Sequence, residues 1–256
     1  MVCRGLRDLA GTYARRGLSG GVSRMLAWNE PIGKAIRWPL RLIPKSANVP
    51  ILSGPNRGLK WTVGGSTHGC WIGSYERNCA LVLFSLCRPG MVAFDVGANA
   101  GYFSLLLARA SGLQGKVLAF EPDPSNLAIL RHHLQINGVA NVSVMPLAVT
   151  DRDGETTFGC AASMGRISSS GSTLVRTTRL DQFPTPDLIK MDIEGEEALA
   201  LLGAQRILSE RRTMWFIELH GDQAKPCIDL LKKNGYRVRN IGLNHVLAKP
   251  ESYNNP

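Results

Sequence analysis

The sequence predicts an α/β fold in which a mostly parallel seven-stranded sheet has helices on both faces and follows an N-terminal extension. After Pro89-Gly90, short apolar runs alternate with longer helical stretches, which is the pattern of βαβ units. The length of 256 residues and the hydrophobic content of 44% suit one α/β domain with a substantial core. Both observations therefore indicate the same fold class.

Two segments precede the predicted sheet. Residues 1–48 form a basic extension, in which glycines and prolines interrupt a weak helical periodicity. Residues 49–88 are expected to form a cap on the domain. The cap contains a short β pair that turns at Gly54-Pro55-Asn56, followed by a helix that begins at Gly73-Ser74-Tyr75-Glu76 and ends near Leu86.

Residues 89–256 carry the predicted sheet. Its strands are expected near residues 91–96, 116–121, 142–148, 187–192, 213–219, 236–240 and 245–248. Its helices are expected near residues 100–111, 124–136, 195–208 and 223–233. The segment 155–179 is too long for a simple crossover, so an inserted hairpin or lid is predicted there.

The positive charge is concentrated near the N-terminus. Residues 1–60 contain eleven basic and two acidic side chains, whereas the rest of the chain is close to neutral although the whole carries +10. An electrostatic partner would therefore bind the extension, and the sheet domain is not expected to bind nucleic acid. Residues 31–43 mix cations with large apolar groups, which leaves peripheral membrane contact as an alternative to packing on the main domain.

The cysteine pattern and the hydropathy favour a cytoplasmic protein. The six cysteines are scattered without a Cys-x-x-Cys pair, so neither a disulfide framework nor a zinc site is expected. No apolar run approaches the roughly 20 residues that span a bilayer. The first thirty residues have no signal-peptide apolar core. The sequence does not indicate an oligomeric state.

One loop indicates the ligand. Residues 95–101 read Asp-Val-Gly-Ala-Asn-Ala-Gly between a predicted strand and a helix, where open α/β sheets bind ligands. The dinucleotide fingerprint is spaced differently and presents a pyrophosphate with a helix N-terminus free of acid. Here Asp95 would repel phosphates and attract a cation. S-adenosylmethionine, with its ammonium and sulfonium groups, is the cofactor that the loop favours.

A second motif, Ile189-Lys190-Met191-Asp192-Ile193-Glu194-Gly195-Glu196, follows in the chain. Together with the loop at 95–101 and the Gly-x-Tyr-Glu element at 73–76, it resembles the FkbM family of class I S-adenosylmethionine-dependent methyltransferases. The resemblance covers about residues 70–220. It implies a Rossmann-like class I methyltransferase fold, S-adenosylmethionine as cofactor and methyl transfer as the reaction.

The candidate site residues follow the predicted strands. The glycines are expected to let the backbone approach the cofactor, and Glu121 to accept hydrogen bonds from its ribose. Asn99 would bond the amino-acid part of the cofactor or stabilise the loop. The cofactor-binding set is Asp95, Gly97, Asn99, Gly101, Glu121, Pro122, Ala148 and Asp192.

The catalytic candidates are Asp192 and His220, because a hydroxyl is a poor nucleophile and needs a base within hydrogen-bond reach. Asp192 or Glu194 would alternatively cap the helix that follows. Tyr75, Glu76, Glu194 and Ser172 are assigned to acceptor binding, and no required metal is expected.

These residues predict O-methylation of a hydroxyl on a sugar, a glycan precursor or a polyketide-like metabolite. The enzymatic alternative is an N-methyltransferase that acts on an amine or an RNA base. The alternative from another class is a non-catalytic binding protein with a methyltransferase fold, held in place by its basic extension.

Overall fold

The computed structural model describes residue 40 and residues 42–161, 164–167 and 173–252. Two compact units divide the chain at residue 47, and residues 48–256 form the second. The basic extension lies almost entirely outside the described residues, so the predicted membrane contact concerns residues that are not described. In the described part of the chain, no helix is long and apolar enough to cross a membrane.

The cap contains the predicted β pair and two helices. Strand β1 (Asn48–Pro50) pairs antiparallel with β2 (Lys60–Thr62). The amide of Arg57 donates to the carbonyl of Gly54 over 3.1 Å, which closes the turn between the two strands. Helices α1 (His68–Ile72) and α2 (Arg77–Leu86) follow.

The main domain alternates strands and helices as predicted. Its strands are β3 (Val92–Val96), β4 (Lys116–Phe120), β5 (Val142–Met145), β6 (Ala148–Val149), β7 (Gly154–Ala161), β8 (Met164–Ile167), β9 (Thr173–Thr178), β10 (Leu188–Met191), β11 (Met214–Glu218), β12 (Tyr236–Asn240) and β13 (His245–Pro250). Its helices are α3 (Tyr102–Ser111), α4 (Pro124–Ile136), α5 (Glu197–Leu202), α6 (Gln205–Glu210) and α7 (Ala224–Lys233).

Seven of the described strands form one sheet in the order β12-β13-β11-β10-β3-β4-β5. Neighbours from β11 to β5 pair in parallel, and β13 runs antiparallel to both β11 and β12. The chain builds outward from β3 through β4 to β5 and then returns to place β10 on the other side of β3. The carboxyl ends of β3 and β10 therefore flank the switch point at which such sheets bind ligands.

Both faces of the sheet are covered. Four successive residues are buried in each of β3, β4 and β10, which a strand with one solvated face would not show. Aromatic side chains fill much of the core, and the rings of Phe94 and Phe120 meet edge to face at 5.5 Å. The predicted seven-stranded, mostly parallel sheet is thus confirmed.

Two predicted elements are shorter than expected. The strand predicted at 142–148 divides into β5 and β6 around Pro146, which has no N–H to donate to a ladder. The helix predicted at 195–208 divides into α5 and α6 around Gly203. A Cβ at that glycine would lie 2.2 Å from the carbonyl oxygen of Thr150, so the close approach of the two backbones requires glycine there.

The insertion at 155–179 forms a second sheet with the strand order β6-β9-β7-β8. The predicted hairpin is present as the antiparallel pairing of β7 with β8 and β9, and β6 adds to β9 in parallel. Ser172, assigned to acceptor binding, lies outside the described residues.

Candidate active site

A cavity of about 280 Å³ opens at the carboxyl ends of β3, β4 and β10. Its wall combines the loop after β3, the strand ends and part of the cap. Among the predicted site residues, those that line it are Tyr75, Gly97, Asn99, Glu121, Pro122, Ala148, Asp192 and Glu194. The sheet topology therefore brings most of the predicted residues to one place.

Glu121 presents a fixed carboxylate to this cavity. Its Oε2 accepts from the amide of Asn99 over 2.7 Å, and its Oε1 accepts from the amide of Asp123 over 2.9 Å. Burial raises the pKa of Glu121 above its ordinary value, although these backbone bonds oppose the shift. The carboxylate is therefore oriented before any ligand arrives.

Asn99 stabilises its own loop. Its backbone is left-handed, with φ of 48°, and its Oδ1 accepts from the amide of Ala100 over 2.7 Å. Asparagine tolerates this conformation better than most residues do. The side chain thus makes the local bond that was the alternative to contact with the amino-acid part of the cofactor.

The two loop glycines are explained by protein contacts. A Cβ at Gly97 would lie 1.8 Å from the carbonyl oxygen of Asp192, and one at Gly101 would lie 2.5 Å from Cδ1 of Leu130. Both glycines also have φ between 79° and 91°. Because the atoms that a side chain would strike belong to the protein, packing alone already requires glycine at both positions, whether or not a cofactor also approaches them.

Asp95 lies beneath the loop and, within the described part of the chain, does not line the cavity. Its Oδ2 accepts from the hydroxyl of Ser104 over 2.6 Å, and its Oδ1 lies 3.4 Å from Nζ of Lys190. Lys190 also donates to the carbonyl of Gly97 over 3.0 Å. The predicted direct contact of Asp95 with the cofactor is therefore replaced by support of Lys190 and of the loop.

Asp192 lines the cavity where β10 ends. Burial raises its pKa to about 6, and the positive charge of Lys190, 3.8 Å away, opposes the shift. The capping alternative is wrong for both Asp192 and Glu194, since the N-cap of α5 is Glu196. Glu194 instead holds a left-handed backbone with φ of 57° and lines the cavity beside Asp192.

His220 lies next to Asp192 and, among the described residues, outside the cavity lining. Its Nδ1 is 2.9 Å from Oε1 of the fully buried Glu197, and its Nε2 lies 3.9 Å from Asp192 and 3.5 Å from Glu194. Burial alone would lower its pKa, but these carboxylates raise it above the ordinary value. The neighbouring carboxylates therefore favour the protonated form of His220.

His245 has no predicted role, yet in the structure it lies beside Glu218 and Glu76. Its Nε2 lies 3.3 Å from Glu218 and 3.7 Å from Glu76. Hydrogen bonds to Cys79 and to these carboxylates raise its pKa to about 12. The other carboxylate oxygen of Glu218 lies 3.8 Å from Nε2 of His220, so Glu218 links the two histidines. Glu76, assigned to acceptor binding, pairs with His245.

The sequence profile of the methyltransferase FkbM domain matches residues 95–238, more than half of the chain. The chain belongs to the FkbM methyltransferase family. The matched span runs from the carboxyl end of β3 into β12 and so includes Asp95, Glu121, Asp192 and His220.

Three similar proteins are distant from this chain in sequence. Hexuronic acid methyltransferase AglP of Haloferax volcanii is 26% identical over 157 residues, covering 57% of this chain, and the match spans 62% of that relative's length. The crystal structure of methyltransferase FkbM from Methylobacillus flagellatus has a TM-score of 0.47 at 18% identity, covering 72% of this chain and 55% of its own. An rRNA methylase from Streptococcus thermophilus has a TM-score of 0.45 at 12% identity, covering 68% and 93%.

Among the described residues of this FkbM protein, two groups of side chains present atoms of the kind that bind metals. The ligand atoms within each group lie within 4.8 Å of one another. One group is Asp192, Glu218 and His220, and the other is Glu76, Cys79 and His245. The neighbouring carboxylates raise the pKa of both histidines and so favour their imidazolium forms.

Several cavity residues of this FkbM protein were missed from the sequence. They are Trp61, Ser66, Thr67, Cys70, Tyr102, Phe103 and Lys190. Lys190 alone carried a signal, as a cation inside the otherwise apolar strand β10. The cap residues carried none, because their place depends on how the cap packs against the domain.

Proposed function

We propose that this FkbM protein uses S-adenosylmethionine to methylate a hydroxyl group on a sugar, a glycan precursor or a polyketide-like metabolite. The observation that carries the proposal is Asp192, a cavity carboxylate at the end of β10 with a pKa of about 6. A base with a pKa near the working pH is the group that a hydroxyl acceptor requires.

The residues around the cavity suit the proposed cofactor. Glu121 is a pre-oriented acceptor for the ribose hydroxyls, and Asp192 and Glu194 place negative charge where a sulfonium needs it. Pro122 and Ala148 supply apolar wall at the ends of β4 and β6 for the adenine. When bound, S-adenosylmethionine supplies a methyl group on a positively charged sulfur.

Asp192 would act as the catalytic base, and His220 as a positioning residue. S-adenosylmethionine, held by Glu121, Asp192 and Glu194, would supply the methyl group to the acceptor oxygen and would leave as S-adenosylhomocysteine. The proton of the acceptor hydroxyl would pass to the Asp192 carboxylate. Nε2 of His220 lies 3.9 Å from Oδ1 of Asp192 and would keep that carboxylate in position. Because opposite charges are neutralised in this step, the protein contributes mainly alignment and exclusion of water.

A sugar is the acceptor class with independent support. The relative AglP of Haloferax volcanii is named for a hexuronic acid, which is a sugar carrying a carboxylate. In this chain the carboxylates of Asp192 and Glu194 line the cavity, and they would repel an anionic sugar. We therefore favour a neutral sugar hydroxyl.

An amine is the second candidate acceptor, because the carboxylates of Asp192 and Glu194 would also attract a cation. An ammonium must lose its proton before it attacks. The rate with an amine would consequently keep rising well above the pKa of Asp192, whereas the rate with a hydroxyl would level off above pH 7.

The test begins with calorimetric titration of S-adenosylmethionine into the purified chain and its Glu121→Gln variant. We expect saturable binding that the variant weakens about tenfold, through a lost hydrogen bond to a charged group. Release of S-adenosylhomocysteine with panels of neutral sugars, anionic sugars and amines then identifies the acceptor. Absence of binding by the folded wild-type protein would refute the proposal.

A further inference from the structure

Part of the cavity wall belongs to the cap, which precedes the family match and, apart from the Gly-x-Tyr-Glu element at 73–76, contains none of the family motifs. Trp61, Ser66, Thr67, Cys70 and Tyr75 contribute to this wall, and all of them precede the matched residues 95–238. The cap therefore forms part of a ligand site that the profile does not include.

The wall that the cap contributes is uncharged. Burial raises the pKa of the Cys70 thiol to about 11, so the thiol stays protonated near pH 7. Burial and the neighbouring Glu76 also raise the pKa of the Tyr75 phenol. The remaining polar groups from the cap are the hydroxyls of Ser66 and Thr67 and the indole of Trp61, which are hydrogen-bond donors.

The other polar walls are anionic. Glu121, Asp192 and Glu194 line them. The cation Lys190 also lines the cavity, but its ammonium already contacts the Gly97 carbonyl and the Asp95 carboxylate. S-adenosylmethionine, however, also carries a carboxylate on its methionine end. That anion is repelled by the acidic walls and finds donors at the cap.

Two buried polar atoms in the same region have no hydrogen-bond partner among the described residues. They are Nε1 of Trp61 and the hydroxyl of Tyr102, both in residues that line the cavity. Their rings lie 6.0 Å apart at 77°. Buried donors without partners are rare in native proteins and indicate a site that a ligand or water completes.

We infer that the cap holds the subsite for the methionine carboxylate of the cofactor, with the Ser66 and Thr67 hydroxyls as its donors. This inference rests on the proposed function. It deepens that function by giving the cofactor a direction in the cavity: ribose at Glu121, sulfonium at Asp192 and carboxylate under the cap. Cofactor affinity would then depend on residues outside the family motifs.

The test compares two ligands that differ in the amino-acid part and in the charge on sulfur. S-adenosylmethionine carries the carboxylate, whereas 5′-methylthioadenosine keeps the adenosine and the methylated sulfur, as a neutral thioether, and lacks the amino-acid part. We expect Ser66→Ala and Thr67→Val each to weaken S-adenosylmethionine binding about tenfold, as loss of a hydrogen bond to a charged group does. Binding of 5′-methylthioadenosine should change by less than about twofold, because it makes no such bond.

Thr62→Val is the matched control. Thr62 belongs to the same cap, and its hydroxyl donates to Asn48 over 2.7 Å away from the cavity. Equal weakening of both ligands by Thr67→Val, or an unchanged affinity for S-adenosylmethionine, would overturn the carboxylate subsite while leaving the proposed function intact. Failure of the folded wild-type protein to bind either ligand would instead overturn both.

Discussion

Substitution of Lys190 tests whether its buried ion pair with Asp95 stabilises the loop at 95–101. Its Nζ lies 3.4 Å from Asp95 and 3.0 Å from the carbonyl oxygen of Gly97, and both charged side chains are at most 5% exposed. Lys190→Met keeps most of the side-chain volume and leaves the Asp95 carboxylate buried without a cation. Breaking a buried pair in this way costs about 3–5 kcal/mol, a large part of a typical folding free energy of about 5–15 kcal/mol.

A double-mutant cycle separates the charge effect from packing. Asp95→Asn removes the opposite charge and keeps an oxygen that can accept from Ser104. We expect the double variant to be destabilised by about 2 kcal/mol less than the sum of the single variants, because neither charge is then left alone.

The assay is urea unfolding monitored by tryptophan fluorescence. An m value shared by the wild-type protein and the variants is the check for two-state behaviour. A loss of less than about 1 kcal/mol in Lys190→Met would refute the buried pair as a support of the loop. Strict additivity in the double variant would refute it as well.

Three further predictions concern the same site. With an identified hydroxyl acceptor, kcat/KM should rise about tenfold from pH 5 to pH 7 as Asp192 loses its proton near pH 6, and Asp192→Asn should abolish this rise; an unchanged profile would exclude Asp192 as the base. Gly97→Ala should unfold in less urea than Gly58→Ala, because both glycines have φ near 80° but only Gly97 would strike a backbone atom; equal losses would contradict the packing argument. Treatment with a chelator should leave cofactor affinity and turnover unchanged, because the carboxylates favour protonated histidines, which are not metal ligands; activity lost to the chelator and restored by Mg²⁺ would reverse this expectation.

The order of elements and the ends of the strands could be predicted from the sequence alone. The periods of helix and strand are local, and a residue such as Glu121 that follows an apolar run must lie at the edge of a parallel sheet. The same reasoning predicts that Asp192 and the loop at 95–101 lie beside each other. The family resemblance had the same origin, since its motifs occupy those strand ends.

Contacts between distant segments could not be predicted in this way. His245 lies opposite Glu218 only because β13 runs antiparallel to β11 in that register, and nothing near His245 in the chain specifies the partner. The pKa of His220 likewise depends on Glu197, a buried carboxylate from another element. The pKa shifts depend on distances between charged groups in space, and the order of residues along the chain does not contain those distances.

The sequence by itself thus determined the fold class, the edge of the sheet at which a cofactor is expected to bind, and the carboxylates at that edge. Only the tertiary structure decided which of these groups face the cavity, that Asp95 supports Lys190 from beneath, and that the cap supplies part of the wall. The physical reason is that periodicity encodes each element locally. Packing of separate elements sets the burial and charge environment that give a side chain its chemistry.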